Sequence, residues 1–207
     1  MVSRSQIARD AIAHLTKVDP RVAKIIATVG NYSLKTRRDP FLSLVEAIIS
    51  QQLAGAVAAA IYSRFLGLYD GSPSPAAILA TKNAMLRQVG LSGRKIEYLK
   101  DLANYVATAT LDLQSLRALG DEEVIQQLTA VKGIGRWTAE MFLIFCLGRF
   151  DVLPVGDLGL RKAVQVVYSL DDLPAPDLMR KIATPWKPYC TVATWYLWKS
   201  LEKFKGI

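Results

Sequence analysis

The stretch Val131-Lys132-Gly133-Ile134-Gly135-Arg136-Trp137-Thr138-Ala139-Glu140 concentrates residue types that can hold an anion. Two glycines one residue apart allow positive φ and let another backbone come close. The pattern predicts a helix ending at Val131-Lys132, a tight turn over Gly133-Ile134-Gly135 with Ile134 anchored in the core, and a second helix starting near Arg136. Consecutive amides at such a helix start form a phosphate site. Lys132 and Arg136 add positive charge on the same side. Contacts of this kind position a nucleic-acid backbone without reading its sequence. Taken alone, the stretch is also simply a helix pair joined by a glycine-capped turn. Asp157 is the second candidate. It follows Pro154-Val155-Gly156 and precedes a helical pattern, so by itself it reads as an N-cap.

Helices must supply the frame for both. No period-2 strand pattern and no fixed-length repeat is visible, and about ten to twelve short helices account for the periodicity. Asp39-Pro40 reads as a cap and first helical residue, followed by Phe41, Leu44, Val45, Ile48 and Ile49 at i, i+3, i+4 spacing. The small-residue run 54–66 continues as helix. GSPSPAA (71–77) reads as a turn or linker, and Ser92 caps an amphipathic helix over KIEYLKDLANYVAT. Asp121, Glu122 and Glu123 put acids where the dipole of the next helix favours them. Residues 151–157 form a proline-flanked loop before the helix LGLRKAVQVVY. A proline-rich loop (171–176) leads to two final helices. The expected fold is all-α, one domain over residues 1–207. Any two-lobed division is discontinuous, because both chain ends look like structural helices.

Composition narrows the partners. Hydrophobic residues make up 51% of the 207, enough for a large core. The net charge of +8 favours a polyanion. Cys146 and Cys190 sit in apolar runs and read as buried free thiols. With one histidine, His14, they cannot build a four-cysteine iron–sulfur cluster or a structural zinc site. His14 itself reads as an ordinary helix residue. The N-terminus has charges where a signal peptide needs apolar residues, and the longest uncharged run, Ala47 to Ser63, falls short of a membrane span. A soluble intracellular protein is expected.

The wider pattern around the glycine turn is LxxVKGIGxWTA, with an aspartate 22 residues after Gly135. It resembles the hairpin and catalytic loop of helix-hairpin-helix DNA glycosylases, in particular the 3-methyladenine glycosylase II branch. SLVEAIISQQLAGAVAAAIYSRF (43–65), LRQVGLSGRKIEYLKDLA (86–103), LGRFDVLPVGDLGLRKAV (147–164) and WKPYCTVATWYLW (186–198) look like further segments of that branch. The resemblance covers residues 41–198. It implies a compact two-lobed helical fold without the N-terminal β domain of longer relatives. The hairpin motif would occupy 127–148, and the first forty residues carry no motif.

The resemblance implies roles residue by residue. Asp157 matches the catalytic aspartate, which stabilises an oxocarbenium-like sugar and orients or deprotonates the attacking water. Trp137 stands where bifunctional glycosylase/lyases carry the Schiff-base lysine, so hydrolysis is expected instead. Trp137 and Trp195 would wall an aromatic base pocket, with Met141 where some relatives have tyrosine. Tyr189 and Trp186 are weaker pocket candidates, and Trp198 is expected in the core. Gln51, Gln52 and Leu53 match the segment inserted into the duplex, Leu53 filling the gap and the preceding glutamine bonding base edges. Lys132, Gly133, Gly135, Arg136 and Thr138 would bind phosphate. Main-chain carbonyls of Thr129, Val131 and Ile134 would bind a structural Na+ or K+. No cofactor is otherwise required, and no iron–sulfur cluster is expected. The implied partner is double-stranded DNA containing alkylated bases. No membrane is implied. The protein would be a monomer, in the cytoplasm with the nucleoid of a prokaryote or in a eukaryotic nucleus. The implied activity is monofunctional excision of alkylated purines such as 3-methyladenine and 7-methylguanine. A glycosylase/lyase for other base damage and a non-catalytic DNA-binding module are the alternatives.

Overall fold

A computed structural model describes residues 3–37 and 39–204. Among them the regular structure is entirely helical. The α-helices are α1 (Arg4–Val18), α2 (Pro20–Val29), α3 (Pro40–Ser50), α4 (Gly55–Gly67), α5 (Pro75–Ala80), α6 (Asn83–Gln88), α7 (Gly93–Ala107), α8 (Asp121–Thr129), α9 (Arg136–Phe142), α10 (Leu158–Tyr168), α11 (Pro176–Ala183) and α12 (Cys190–Phe204). Short 3-10 turns occupy Ser115–Ala118 and Thr184–Trp186, and α9 runs into one π-helical turn over Leu143–Leu147. No helix among the described residues is long and apolar enough to cross a membrane.

Local chemistry sets most boundaries. Asp39 accepts from Leu42 N ahead of Pro40, and Ser92 accepts from Lys95 N at the start of α7. Asp121, Glu122 and Glu123 fill the first turn of α8, and Glu123 accepts from Gly120 N at 2.7 Å. Two segments differ from expectation. Residues 71–77 are not wholly a turn, because Ser74 caps α5 and Pro75 opens it. Residues 51–54 separate α3 from α4, with Gln52 in the left-handed region at φ 56°.

The chain divides into two compact units, one of residues 1–36 with 148–207 and one of residues 37–147. In the first, α12 packs on α1, α2 and α10. Leu15, Val22, Leu160, Val164, Met179 and Tyr196 form its core. Asp19 ties that core together. Its Oδ1 accepts from Arg21 N and Val22 N at the start of α2, and its Oδ2 accepts from Trp186 Nε1 at 2.8 Å and from the Tyr168 hydroxyl. Burial, then the neighbouring Asp19, pushes the Tyr168 hydroxyl far above its ordinary pKa. Trp186 is completely buried in this cluster. It is therefore a core residue and not a pocket wall, since its one polar atom is already committed to Asp19.

In the second unit, α7 packs on α3, α5 and α6, and α9 packs on α3 and α8. Leu44, Ile48, Leu99, Leu128, Ile134 and Phe142 are buried there. Cys146 and Cys190 are buried free thiols, one in each unit.

Candidate functional site

The glycine turn lies in the 37–147 unit. Helix α8 ends at Thr129, two residues earlier than expected, and Val131 N donates to Leu128 O at 3.1 Å. Ile134 N then donates to Val131 O at 3.1 Å, closing a tight turn with Ile134 buried beneath it. The two glycines are not equivalent. Gly133 has φ 82°, and a Cβ there would run into the Tyr98 ring of α7. Gly135 is extended (φ −91°, ψ 172°), serves as the N-cap of α9 and has open space where a Cβ would be. Only Gly133 therefore needs the freedom of glycine, and its close neighbour is a side chain, not another backbone.

The first intrahelical bond of α9 runs from Ala139 N to Gly135 O. The amides of Arg136, Trp137 and Thr138 precede it, as the first amides of any helix do. Thr138 is buried at this helix start. Trp137 is 47% exposed and Met141 is half-buried. Thr129 Oγ1 donates to Ile125 O, and Val131 O already accepts one bond.

Both hairpin cations have acidic neighbours. Lys132 Nζ lies 3.1 Å from Glu97, and Lys132 N donates to Asp101 Oδ2 at 2.8 Å. Arg136 bonds Glu122 through two nitrogens and Glu140 through Nε at 3.1 Å. Glu97 raises the Lys132 pKa, and Arg136 holds the Glu122 carboxyl below its ordinary range.

The QQL segment is tied to the same turn. Gln51 Nε2 donates to Gly133 O at 2.8 Å, so Gln51 is a brace for the hairpin. Gln52 is exposed, and Leu53 is half-buried. Lys95 Nζ donates to Ile49 O at 2.6 Å, satisfying an end carbonyl of α3 just where the chain breaks. Partial burial lowers its pKa. Helix α7 thus supplies Lys95, Glu97, Tyr98 and Asp101 to the two motifs. Sequence reasoning missed all four, because polar residues on an amphipathic helix look like an ordinary solvated face.

Asp157 lies in the other unit. Its loop is pinned to the start of α12: Asp151 accepts from Cys190 N at 3.1 Å, Thr191 Oγ1 from Val152 N at 2.9 Å, and Phe150 O from Thr191 N at 3.0 Å. Asp157 caps α10, as its neighbours suggest, and only 9% of it is exposed. Its Oδ1 accepts from Leu160 N at 2.6 Å and from Trp198 Nε1 at 2.8 Å. These donors and the positive end of α10 offset the cost of burying a carboxyl oxygen. Trp198 is half-buried, and its indole N–H goes to Asp157. Trp198 packs against the hydrophobic core of its unit, as expected, and its indole N–H is also committed to Asp157.

Trp195 is buried, with its ring edge-on to Tyr32 (5.0 Å, 74°) and Tyr196 (4.9 Å, 84°). Tyr189 is half-buried and meets the His14 ring at 5.5 Å. The expected pocket residues therefore divide, Trp137 and Met141 in one unit, Trp195 and Tyr189 in the other. Among the described residues, no three His, Cys, Asp or Glu side chains cluster to hold a metal.

Comparison with known proteins places this arrangement. The model of the HhH-GPD superfamily base excision DNA repair proteins matches residues 45–188. DNA-3-methyladenine glycosylase 1 of Schizosaccharomyces pombe is 35% identical over 193 residues, covering 90% of this chain and 85% of that protein. The structure of a 3-methyladenine DNA glycosylase of that yeast in complex with abasic DNA superposes with a TM-score of 0.85, over 93% of this chain and 97% of that one. A DNA-3-methyladenine glycosidase from Bacillus halodurans superposes with a TM-score of 0.86 at 39% identity, over 95% and 91% of the two chains. The chain belongs to the HhH-GPD superfamily of base excision DNA repair proteins.

Proposed function

We propose that this protein is a monofunctional DNA N-glycosylase that excises alkylated purines of the 3-methyladenine and 7-methylguanine type. The observation that carries the reading is Asp157, a nearly buried carboxylate capping α10 with Oδ1 held by two donors. Cleaving an N-glycosidic bond leaves positive charge on the sugar, and a fixed carboxylate stabilises it. The bond from C1′ to the base nitrogen breaks, a water oxygen bonds to C1′, and the water's proton passes to Asp157 as general base. An alkylated purine is a cationic leaving group, so it departs neutral.

The rest of the chain supports that step. The turn at Gly133 and the amides opening α9 suit a DNA phosphate. Leu53, beside the exposed Gln52, suits the gap left by a flipped nucleotide. Exposed Trp137 is an aromatic face for a flipped base and bears no amine, so Schiff-base chemistry is disfavoured at its position. The carbonyls of Thr129, Val131 and Ile134 follow one another around the turn. Val131 O keeps a second lone pair after accepting from Ile134 N, so the set fits a weakly bound Na+ or K+ that would neutralise charge between hairpin and phosphate. The partner is double-stranded DNA carrying alkylated bases, and the protein acts as a monomer.

Release of free bases from methylated DNA, resolved by chromatography, tests the reading. Wild type releases 3-methyladenine and 7-methylguanine, and borohydride leaves no covalent protein–DNA adduct. A strong adduct would establish the lyase alternative. No base release would leave a DNA-binding module.

A further inference from the structure

We infer that Trp198 is a positioning residue for the reaction: its indole N–H locks the Asp157 carboxyl in its working orientation. The inference rests on the reading of Asp157 as the catalytic carboxylate. Three features of the structure converge on it.

The first is the bond itself. Trp198 Nε1 donates to Asp157 Oδ1 at 2.8 Å across 41 positions of sequence. The second is the division of labour around that oxygen. Leu160 N, from α10, also donates to Oδ1, at 2.6 Å. One local capping bond leaves a carboxyl plane free to swing about its oxygen. A second donor, mounted on a different helix, removes that freedom. Helix α12 packs directly on α10, so this donor is carried on a rigid element. The third is Gly159. Its φ lies outside the left-handed region, so the backbone does not require glycine. A Cβ there would lie 3.2 Å from Asp157 Oδ1 and 3.5 Å from the Trp198 ring. The first distance is a tight approach and the second ordinary van der Waals contact, so glycine spares the carboxylate a close neighbour.

Trp198 packs against the core of its unit, but packing alone does not require an indole there. Trp198 is only half-buried, and phenylalanine would fill most of the same volume. What phenylalanine lacks is the N–H.

The test is single-turnover excision at saturating enzyme on DNA carrying 7-methylguanine, with wild type, Trp198→Phe, Asp157→Asn and the double variant. Affinity for abasic-site DNA and thermal unfolding are measured in parallel. Trp198→Phe is expected to slow excision about tenfold, the scale of losing a group that orients a reacting one. Affinity stays at the wild-type value, and the melting temperature falls by only a few degrees, the scale of one lost hydrogen bond in a chain of this size. In the Asp157→Asn background, Trp198→Phe changes nothing further, because its effect runs through that carboxylate. Gly159→Ala, which crowds Asp157 Oδ1 while leaving both hydrogen-bonding groups in place, also slows excision. An unchanged rate in Trp198→Phe overturns the inference, whatever Gly159→Ala does, while Asp157→Asn still upholds the proposed function. A Trp198→Phe loss that persists in the Asp157→Asn background, that tracks lost affinity, or that disappears when excision is measured well below the melting temperature of the variant, overturns it equally. A wild type that releases no base overturns the proposed function and this inference together.

Discussion

The glycine hairpin in one unit and the Asp157 loop in the other use opposite materials. At the hairpin the working atoms are main-chain: the amides opening α9, the Gly133 carbonyl braced by Gln51, and the Lys132 amide held by Asp101. At Asp157 they belong to one side chain, with the backbone of α10 and the indole of Trp198 holding it. A site made of backbone is sensitive to an added Cβ and indifferent to most side-chain changes. A site made of one carboxylate is the reverse.

Asp157→Asn gives the largest effect. Asparagine caps a helix about as well as aspartate, so stability should hold. The lost charge and base should slow excision by about 10²- to 10⁴-fold. Equal melting temperatures with a collapsed single-turnover rate confirm that Asp157 does chemistry. A collapse in both would make it a cap first.

Gly133→Ala comes next and breaks the other side of the comparison. The left-handed φ costs about 1–2 kcal/mol for a residue with a Cβ, and the clash with Tyr98 adds about 1–3 kcal/mol. Gly135→Ala, extended and unobstructed, should cost under about 1 kcal/mol. Thermal unfolding and DNA affinity should both separate the two variants. Combining Gly133→Ala with Tyr98→Ala should relieve the clash and leave the φ cost. Equal effects at Gly133 and Gly135 would mean that the turn does not need its geometry.

The two regions also differ in how far they could be read from sequence. The start of α9, the Asp39-Pro40 cap, the Ser92 cap and the whole of α10 follow from residues within one turn of the event they control. The break at 51–54 did not, because the end of α3 is satisfied by Lys95 from a distant helix. Gln51 belongs to the segment expected to enter the duplex, and its side chain bonds Gly133, 82 residues away. Trp198 does pack on the core, but periodicity reports burial and not the destination of an indole N–H. Thr138 shows the converse limit: a motif match assigns the residue to phosphate, but its burial follows only from the packing of α9. Gln51→Ala tests the long-range brace. Removing a bond to a carbonyl that keeps other solvation should cost about 1 kcal/mol and weaken DNA binding several-fold, with the rate at saturating enzyme unchanged.

The smallest expected effect concerns charge, where hairpin and Asp157 loop differ again. Leu160 N and Trp198 Nε1, which donate to Asp157 Oδ1, are neutral donors, whereas Lys132 and Arg136 face Glu97, Glu122 and Glu140. The Glu122 side chain is 74% exposed, so its pair with Arg136 adds under about 1 kcal/mol to stability. Its folded-state pKa is depressed by Arg136. That contribution is therefore present above the unfolded carboxylate value of about 4.3 and is lost as pH falls through the lower folded value. Glu122→Gln should flatten this acid limb of the stability profile slightly and leave the melting temperature at neutral pH nearly unchanged. It should also release Arg136 toward DNA phosphate. Affinity at low salt then rises a few-fold, and the slope of log K against log salt steepens by up to about 0.9, the increment for one further phosphate contact. Binding isotherms across a salt series read this directly. An unchanged slope would mean that Arg136 keeps its carboxylate partners when DNA is bound, leaving the hairpin to hold phosphate through its amides.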